Sequence, residues 1–247
     1  MPADATLYVI GTPIGNLEDI SYRAVRMLGE LPALACEDTR RTRQLLDRYE
    51  IPRPPTLFSL HEHNEDRAAR RVLELLDGGT SVGVCSDAGM PLVSDPGFTT
   101  VRMAAEAGHR VEALPGPTAV TSALAVSGLP VASFTFKGFP PRKPGPRRRF
   151  LEADEDAAHT LVIFESPHRL AALLQDALDV LGDRRACVCL ELTKLYEKVE
   201  RGFLSDLCTV YRDAAPKGEV TVVIAGVHPK FQRARTSCED TIGGPAR

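Results

Sequence analysis

The sequence predicts an α/β protein of two domains, with a mostly parallel sheet in the first and a mixed sheet in the second. Three observations predict this class. Short apolar, β-branched runs alternate with amphipathic stretches along the first half of the chain. Three of these runs end in turns rich in glycine and proline, where open α/β sheets bind ligands. A chain of 247 residues with 43% hydrophobic content is long enough for two such domains.

The first domain is predicted to span residues 1–127. Strands are expected at 6–10, 33–36, 56–60, 81–85 and 110–114, because each run is short, apolar and bounded by turn residues. Helices are expected between them at 19–30, 39–49, 64–77 and 95–107, followed by one at 117–127. Asn64 is the expected N-cap of the third helix, and Asp95 followed by Pro96 is the expected start of the fourth.

The second domain is predicted to span residues 128–226, after a linker at Ser127–Pro130. Strands are expected at 133–138, 160–165, 186–193, 197–201 and 219–225, with helices at 146–155, 168–181 and 203–214. The stretch 191–202 is typical of a hairpin, which predicts a mixed sheet. Residues 227–247 lack periodicity and are predicted to form a poorly ordered tail.

Composition excludes several classes of protein. The net charge of −3 and the pI near 6.1 do not demand a nucleic-acid partner, so any contact with a polyanion must use a local basic patch. The six cysteines form no C-x-x-C pair, which favours free thiols in a reducing compartment. There is no signal peptide and no apolar run long enough to span a membrane, so we expect a cytoplasmic protein.

Three turns carry the strongest functional signal. They lie at Gly11–Asn16, at Ser86–Gly97 and at Pro115–Thr118, each directly after a predicted strand. Glycine lets a ligand approach the backbone, and the helix start after the third turn offers free N–H groups that suit a carboxylate. Asp87 is expected at the carboxyl end of its strand, facing the crevice. Three such turns in one domain predict one shared ligand.

The same segments resemble the tetrapyrrole methylase superfamily and, within it, the branch that methylates small-subunit ribosomal RNA. The resemblance rests on collinear motifs between residues 7 and 226. They are Tyr8–Leu17, Cys36–Arg40, Ser59–Glu65, the turns at Asp87 and Pro115, Phe164–Arg169 and Glu191–Lys194. It implies a two-domain tetrapyrrole methylase-like fold, a homodimer, and methylation of the ribose 2′-hydroxyl of a cytidine in 16S ribosomal RNA, within the 30S subunit.

The resemblance also implies S-adenosylmethionine as cofactor, bound between the two domains. The positions that match the family pattern or lie in the three turns are expected to contact it. They are Gly11, Ile14, Asp87, Gly89, Met90, Thr118 and Ala119 in the first domain, with Phe164 and Leu192 closing the site.

Methyl transfer from a sulfonium needs in-line placement of the nucleophile and neither a metal nor a nucleophilic cysteine. A ribose hydroxyl is a poor nucleophile while protonated, so a general base is expected. The candidates are Glu165, His168, His61 and Glu62. The spacing of His61 and His63 is compatible with a metal site, but the sequence contains no further ligand cluster beside them. We therefore expect no metal. Structural alternatives remain open: Glu165 could pair with Arg169, and His168 could cap a helix.

The RNA contact is expected on a basic segment at residues 137–149, which holds six Lys or Arg and no acid in a Pro/Gly-rich stretch predicted to be a mobile loop. A solvated surface loop is the competing interpretation. With the family resemblance, phosphate contact becomes the prediction. The expected substrate-binding residues are Arg40, Arg142, Lys143, Arg147, Arg148 and Arg149.

Two other functions remain as alternatives. A methyltransferase for a tetrapyrrole or corrinoid precursor would share the donor site but need an apolar, aromatic-rich acceptor cleft. The absence of tryptophan and the basic segment argue against it. The second alternative is a non-catalytic binding module for ribosome assembly, and the presence of all three turns argues against that.

Overall fold

The structure is a computed structural model that describes residues 5–213 and 216–233. Ten strands and eight α-helices occur in that part of the chain. The strands are β1 (Thr6–Ile10), β2 (Ala33–Cys36), β3 (Thr56–Ser59), β4 (Val82–Cys85), β5 (Arg110–Leu114), β6 (Phe134–Phe136), β7 (Thr160–Glu165), β8 (Arg185–Leu190), β9 (Lys198–Phe203) and β10 (Val220–Ile224). The helices are α1 (Tyr22–Glu30), α2 (Thr39–Arg48), α3 (Glu65–Asp77), α4 (Phe98–Glu106), α5 (Ala119–Ser127), α6 (Pro144–Glu152), α7 (Leu170–Leu181) and α8 (Leu204–Tyr211).

The chain forms two compact units. The first comprises the chain up to Ala123 together with Glu191–Glu197, and the second comprises Leu124–Leu190 and the chain from Lys198 onward. The division therefore falls within α5, whereas the sequence predicts a boundary after residue 127. The short segment between β8 and β9 is part of the first unit, although both strands belong to the second.

The first unit is built on a five-stranded sheet of order β3-β2-β4-β1-β5, in which every pairing is parallel. Helices α1 and α2 bury Leu28 and Leu46 on one face, while α3 and α4 bury Val72 and Ala104 on the other. Successive residues of β2 alternate between these two cores, as the two-residue repeat of a strand requires. The predicted parallel sheet is confirmed.

The second unit is built on a mixed sheet of order β6-β7-β10-β8-β9. Only the β6–β7 pair is parallel, and the other three pairings are antiparallel. The core lies between this sheet and the leucines of α7 and α8, with Leu151 from α6. The hairpin of β8 and β9 confirms the predicted mixed sheet.

The predicted start of α4 is wrong. The helix begins at Phe98, and its N-cap is Gly97 with a φ of 126°, which favours glycine. Because Gly97 has no side chain to cap the helix, Glu65 does so from α3: its Oε1 accepts from the N–H groups of Gly97 (3.0 Å) and Thr99 (2.9 Å). Asp95 therefore lies outside the helix.

Residues 227–233 include a 3-10 helix at Pro229–Phe231. The Arg233 N–H donates to the Asp183 carbonyl (2.9 Å), and its guanidinium pairs with Asp206 (2.6 Å). The rest of the predicted tail, 234–247, lies outside the described residues. No helix in the described ranges has both the length and the apolar character to cross a membrane. Of the six cysteines, the five that the structure describes are free thiols, and Cys238 falls among the residues it does not describe.

Candidate functional site

The three predicted turns meet at the carboxyl edge of the parallel sheet. Thr12 and Gly89 exchange two backbone hydrogen bonds of 2.9 and 3.1 Å, and the Gly11 N–H donates to the Leu114 carbonyl at 3.0 Å. Gly11 and Gly116 lie so close that a Cβ on Gly11 would be 2.6 Å from the Gly116 Cα. Real Cβ atoms do not approach a backbone this closely, so both positions require glycine.

Two further residues predicted to bind the cofactor join these turns. The Met90 Sδ lies 2.7 Å from the place where a Gly11 Cβ would be, and the Ile14 Cγ2 lies 3.3 Å from the corresponding place on Gly89. The structure therefore brings Gly11, Ile14, Gly89 and Met90 together.

Thr118 and Ala119 follow the third turn and begin α5. The Thr118 Oγ1 accepts from the Thr121 N–H at 3.2 Å and so caps the helix. The carbonyl of the preceding Pro117 lies 3.6 Å from the position of a Gly89 Cβ. This helix start consequently borders the same group of turns.

The segment Glu191–Glu197 lies against the first turn. The Thr193 Oγ1 accepts from the Asn16 N–H at 3.0 Å, and a Cβ on Gly15 would lie 3.1 Å from the Leu192 carbonyl oxygen. Leu192, one of the predicted cofactor contacts, is buried. Thr193 is not among the predicted contacts, and its φ of 66° is unusual for a β-branched residue. A strained residue of this kind is typical of functional sites, but the sequence around Thr193 contains no pattern that predicts the strain.

An open cavity of about 380 Å³ lies beside these turns, within the size range of ligand sites. It offers a carboxylate, three hydroxyl groups and the backbone of the third turn. Its lining residues are Asp19, Ser21, Pro115, Gly116, Pro117, Ser122 and Thr193.

Asp87 occupies a topological switch point. Strand β2 leads to β3 on one side of the sheet, and its neighbour β4 leads to β5 on the other, so a crevice opens at their carboxyl ends. The Asp87 Oδ1 accepts from the Asp38 N–H (3.0 Å), and its Oδ2 lies 3.4 Å from the Arg41 Nε. Burial raises the pKa of Asp87, against the opposing effect of the Asp38 N–H and Arg41. Its carboxylate thus ties the two strand ends together.

Asp95 follows in the same loop and carries a strongly shifted pKa. Burial, followed by the negative charge of Glu37, raises the pKa of Asp95 to about 6, while a hydrogen bond from Ser86 opposes the shift. The Glu37 carboxylate is itself held by the Asp87 N–H at 3.2 Å.

Replacing Asp95 with asparagine should stabilise the protein above pH 7. The raised pKa means that folding favours the protonated carboxyl, so this stability is present below about pH 3.8 and is lost as the pH rises through about 6. A shift of this size corresponds to at most about 3 kcal/mol, and partial exposure reduces the expected gain to roughly 1 kcal/mol. Urea unfolding at pH 8 and pH 4 measures it. Asp156→Asn, at an exposed carboxylate, controls for the lost charge, and an equal gain from Asp95→Asn at both pH values would contradict the assignment.

The candidate bases His61 and Glu62 lie in the loop after β3. The His61 Nδ1 is buried and has no hydrogen-bond partner, whereas Glu62 is exposed. Asn64 is the N-cap residue of α3, as the sequence predicts, but its side chain forms no capping hydrogen bond with the helix. Its amide instead accepts from the His61 N–H (2.8 Å) and donates to the Ser59 carbonyl (3.0 Å), which orders the loop. Among the residues that the structure describes, no three His, Cys, Asp or Glu side chains are grouped as metal ligands.

The candidate base Glu165 ends strand β7 in the second unit, and its side chain is fully buried. Its Oε1 accepts from the Ser166 N–H (2.6 Å) and pairs with the Arg169 guanidinium (2.5 Å), the ion pair that the structural alternative predicts. Its Oε2 is buried without a hydrogen-bond partner. Burial raises the pKa of Glu165, and the Ser166 N–H and Arg169 limit the increase. His168 lies in an exposed 3-10 turn and provides no side-chain cap.

Phe164 precedes Glu165, and its ring contacts two other phenylalanines. Its centroid lies 4.7 Å from that of Phe136 and 5.6 Å from that of Phe139, both edge-to-face. Both of these aromatic contacts lie within the second unit.

The basic segment differs from the mobile loop that the sequence predicts, because α6 begins at Pro144. Arg147 is 5% exposed and its Nε donates to the Asp176 carboxylate at 2.7 Å. Arg148 donates to the same carboxylate (2.8 Å) and to Asp179 (2.8 Å). These two arginines fasten α6 to α7. Arg142, Lys143 and Arg149 are exposed, and no other described residue forms an ion pair with them.

Arg40, the remaining candidate RNA contact, begins helix α2. Its side chain is 84% exposed and pairs with the helix N-cap Asp38 at 2.7 Å. The hydrogen bond from the Arg40 guanidinium lowers the pKa of Asp38 to about 2. Arg40 therefore lies at the carboxyl edge of the sheet, next to the crevice at Asp87.

Comparison with known proteins agrees with this architecture. The family model described as Tetrapyrrole (Corrin/Porphyrin) Methylases matches residues 6–208. A ribosomal RNA small subunit methyltransferase I from Thermotoga maritima is 44% identical over 220 residues, which cover 89% of this chain and 98% of that protein. The protein of the same name from Xylella fastidiosa strain Temecula1 is 46% identical over 229 residues, covering 92% of this chain and 83% of the relative.

Among solved structures, a cobalt-precorrin-4 methyltransferase of cobalamin biosynthesis superposes with a TM-score of 0.64 at 18% identity, covering 90% of this chain and 94% of that one. At this low identity, the likeness shows a shared fold and nothing further. The match of the family model to residues 6–208 and the 44–46% identity to these two relatives establish that the protein belongs to the tetrapyrrole (corrin/porphyrin) methylase family, among the relatives of ribosomal RNA small subunit methyltransferase I.

Proposed function

We propose that this protein transfers a methyl group from S-adenosylmethionine to the ribose 2′-hydroxyl of a cytidine in small-subunit ribosomal RNA, acting as a homodimer on the 30S subunit. The observation that carries the proposal is the 44–46% identity to ribosomal RNA small subunit methyltransferase I proteins over about nine-tenths of the chain. The three joined turns support it, because a methyltransferase needs a site for its donor.

The residues around the cavity fit this donor. S-adenosylmethionine carries a sulfonium and an ammonium group, which suit the Asp19 carboxylate, and ribose hydroxyls, which suit the hydroxyls of Ser21, Ser122 and Thr193. Gly11 and Gly116 leave no side chain between the turns. When bound, the donor would supply an activated methyl group, because loss of the methyl group converts its positively charged sulfonium into a neutral thioether.

Glu165 is the group we propose as the proton acceptor. The ribose oxygen must lose its proton as its bond to the methyl carbon forms. The Glu165 Oε2 has no internal hydrogen bond to break, and because this oxygen is buried, binding of the RNA must expose it before it can accept the proton. Burial makes this carboxylate more basic than an exposed one, while Arg169 holds the other oxygen in place. The exposed His168 lacks such support, and we assign it no proton transfer.

Arg142, Lys143 and Arg149 are the residues we propose to contact RNA phosphates, with Arg40 closer to the reacting nucleotide. The three are exposed, and no described acidic side chain pairs with them. Arg147 and Arg148 act instead through the orientation of α6, because Asp176 already holds both.

Changing Arg142, Lys143 and Arg149 together to glutamine should flatten the salt dependence of RNA binding. Three lost phosphate contacts should lower the slope of log affinity against log salt by about 2, because fewer counterions are released. Filter binding to small-subunit RNA between about 50 and 200 mM salt measures this slope. The matched control changes Arg26, Arg53 and Arg102, which are exposed and paired with acids, and removes the same charge. An equal slope in both triple variants would contradict the assignment.

The decisive experiment offers labelled S-adenosylmethionine with 30S subunits, free ribosomal RNA or corrinoid precursors, and then maps the methyl group. We expect a single 2′-O-methylcytidine in the ribosomal RNA. Methylation of the corrinoid would favour a tetrapyrrole methyltransferase. Binding of RNA without any transfer would favour a non-catalytic assembly factor.

A further inference from the structure

An exposed phenylalanine lies where the second unit presents its basic residues. Phe139 is 57% exposed, although its ring is fixed at 5.6 Å from Phe164 in an edge-to-face contact. The backbone around it is anchored as well: the Phe164 N–H donates to the Gly138 carbonyl at 3.0 Å, and Gly138 has a φ of 63°. The segment therefore holds an aromatic ring in a fixed position with more than half of the residue exposed to solvent.

The position of Phe139 is coupled to Glu165. The Arg169 guanidinium pairs with the Glu165 Oε1 and also donates to the carbonyl of Pro140, at 3.4 Å. One arginine thus holds both the carboxylate that we propose as the base and the turn that carries the exposed ring. A group stacked on Phe139 would lie near the strand end at which Glu165 is buried.

The segment that carries the ring is positively charged. The sequence between Lys137 and Arg149 contains no acid, and Arg142 and Lys143 are exposed just after the Phe139 turn. Lys137 is already paired with Asp154, beneath the surface. An exposed aromatic face beside unpaired cations is the combination that binds unpaired nucleotides, because bases stack on the ring while phosphates meet the cations.

We propose that Phe139 is a stacking platform for an unpaired base of the RNA substrate, beside the nucleotide that is methylated. This inference rests on the proposed function and adds to it the form of the substrate, a strand whose bases are accessible at this point. Stacking is tolerant of base identity, so the platform would hold the strand in place without reading its sequence.

The test is steady-state methyl transfer to 30S subunits by variants of Phe139. Phe139→Ala and Phe139→Leu should raise the KM for the subunit by about 5- to 150-fold, the range that loss of one stacked base predicts. Phe139→Tyr keeps a ring and should stay within about threefold of the parent. The kcat should change little in all three, since the base Glu165 is retained. Calorimetry should show unchanged affinity for S-adenosylmethionine.

Phe134→Ala is the matched control, because Phe134 is also exposed (43%) and lies at the opposite end of β6. Parental KM for Phe139→Leu would show that an apolar contact suffices and would overturn the platform, as would parental KM for Phe139→Ala. A change of oligomeric state on light scattering with Phe139→Ala would overturn it by assigning the ring to an interface between copies. If the parent protein were inactive on every RNA, the proposed function itself would be refuted. This outcome differs from failure of the platform alone, in which the Phe139 variants are active and keep the parental KM.

Discussion

Gly11→Ala should slow methyl transfer from S-adenosylmethionine by about 100-fold or more and weaken binding of this donor. The added Cβ would lie 2.6 Å from the Gly116 Cα and 2.7 Å from the Met90 Sδ, so the first and third turns would have to separate. A displacement of about 1 Å at a reacting site is enough to cost that factor in rate. Calorimetry with the donor and single-turnover transfer measure the two effects.

Gly29→Ala is the matched control for this change. Gly29 lies in α1, and a Cβ there would lie 3.8 Å from Ile51 Cγ2, an ordinary contact. Alanine should stabilise that helix by up to about 1 kcal/mol and leave the donor affinity unchanged. Circular dichroism checks that both variants are folded. Parental donor affinity in folded Gly11→Ala would remove the three turns as the donor site.

Glu165→Gln should slow methyl transfer by about 10²- to 10⁴-fold at saturating donor and RNA, the range that general-base catalysis contributes. Glutamine keeps the size of the side chain but cannot accept the ribose proton. In the parent, the rate should fall as the pH drops below the pKa of Glu165, which burial raises above its ordinary value. That dependence should disappear in the variant.

Glu152→Gln changes an exposed carboxylate of α6 and serves as the control, with rates within about threefold of the parent. The Glu165→Gln variant also loses the ion pair with Arg169, which lowers its stability. Thermal unfolding checks that the variant is folded at the assay temperature, so that a slower rate can be assigned to the missing base. If Glu165→Gln retained the parental rate, Glu165 would be a structural residue, and His61 would become the next candidate for the base.

The sequence predicts the first unit well because its signals are local. Each strand of the parallel sheet is a short apolar run, and the turns after β1, β4 and β5 contain the glycines that their close approach requires. Since the carboxyl ends of parallel strands share one edge, local prediction of those strands was enough to bring Gly11, Gly89 and Gly116 together.

Pairings between distant residues could not be predicted in this way. The sequence shows the charge of Arg147 but not its partner Asp176, which lies 29 residues away on another helix. Asn64 is a second case, because its residue type is typical of a capping side chain but its amide bonds to the preceding loop instead of to the helix. Thr193 is a comparable case, because a left-handed threonine is imposed by its surroundings and no pattern of neighbours announces it.

The segment Glu191–Glu197 also sets the order in which the protein can be completed during synthesis. It supplies Thr193 to the first unit, yet it leaves the ribosome after more than half of the second unit has been made. A nascent chain that ends at Ala123 therefore has all five strands of the parallel sheet but lacks one wall of the cavity beside the turns. The lining of this cavity is therefore complete only after Thr193 has been added, about 70 residues after the last strand and helix start of the first unit have been made.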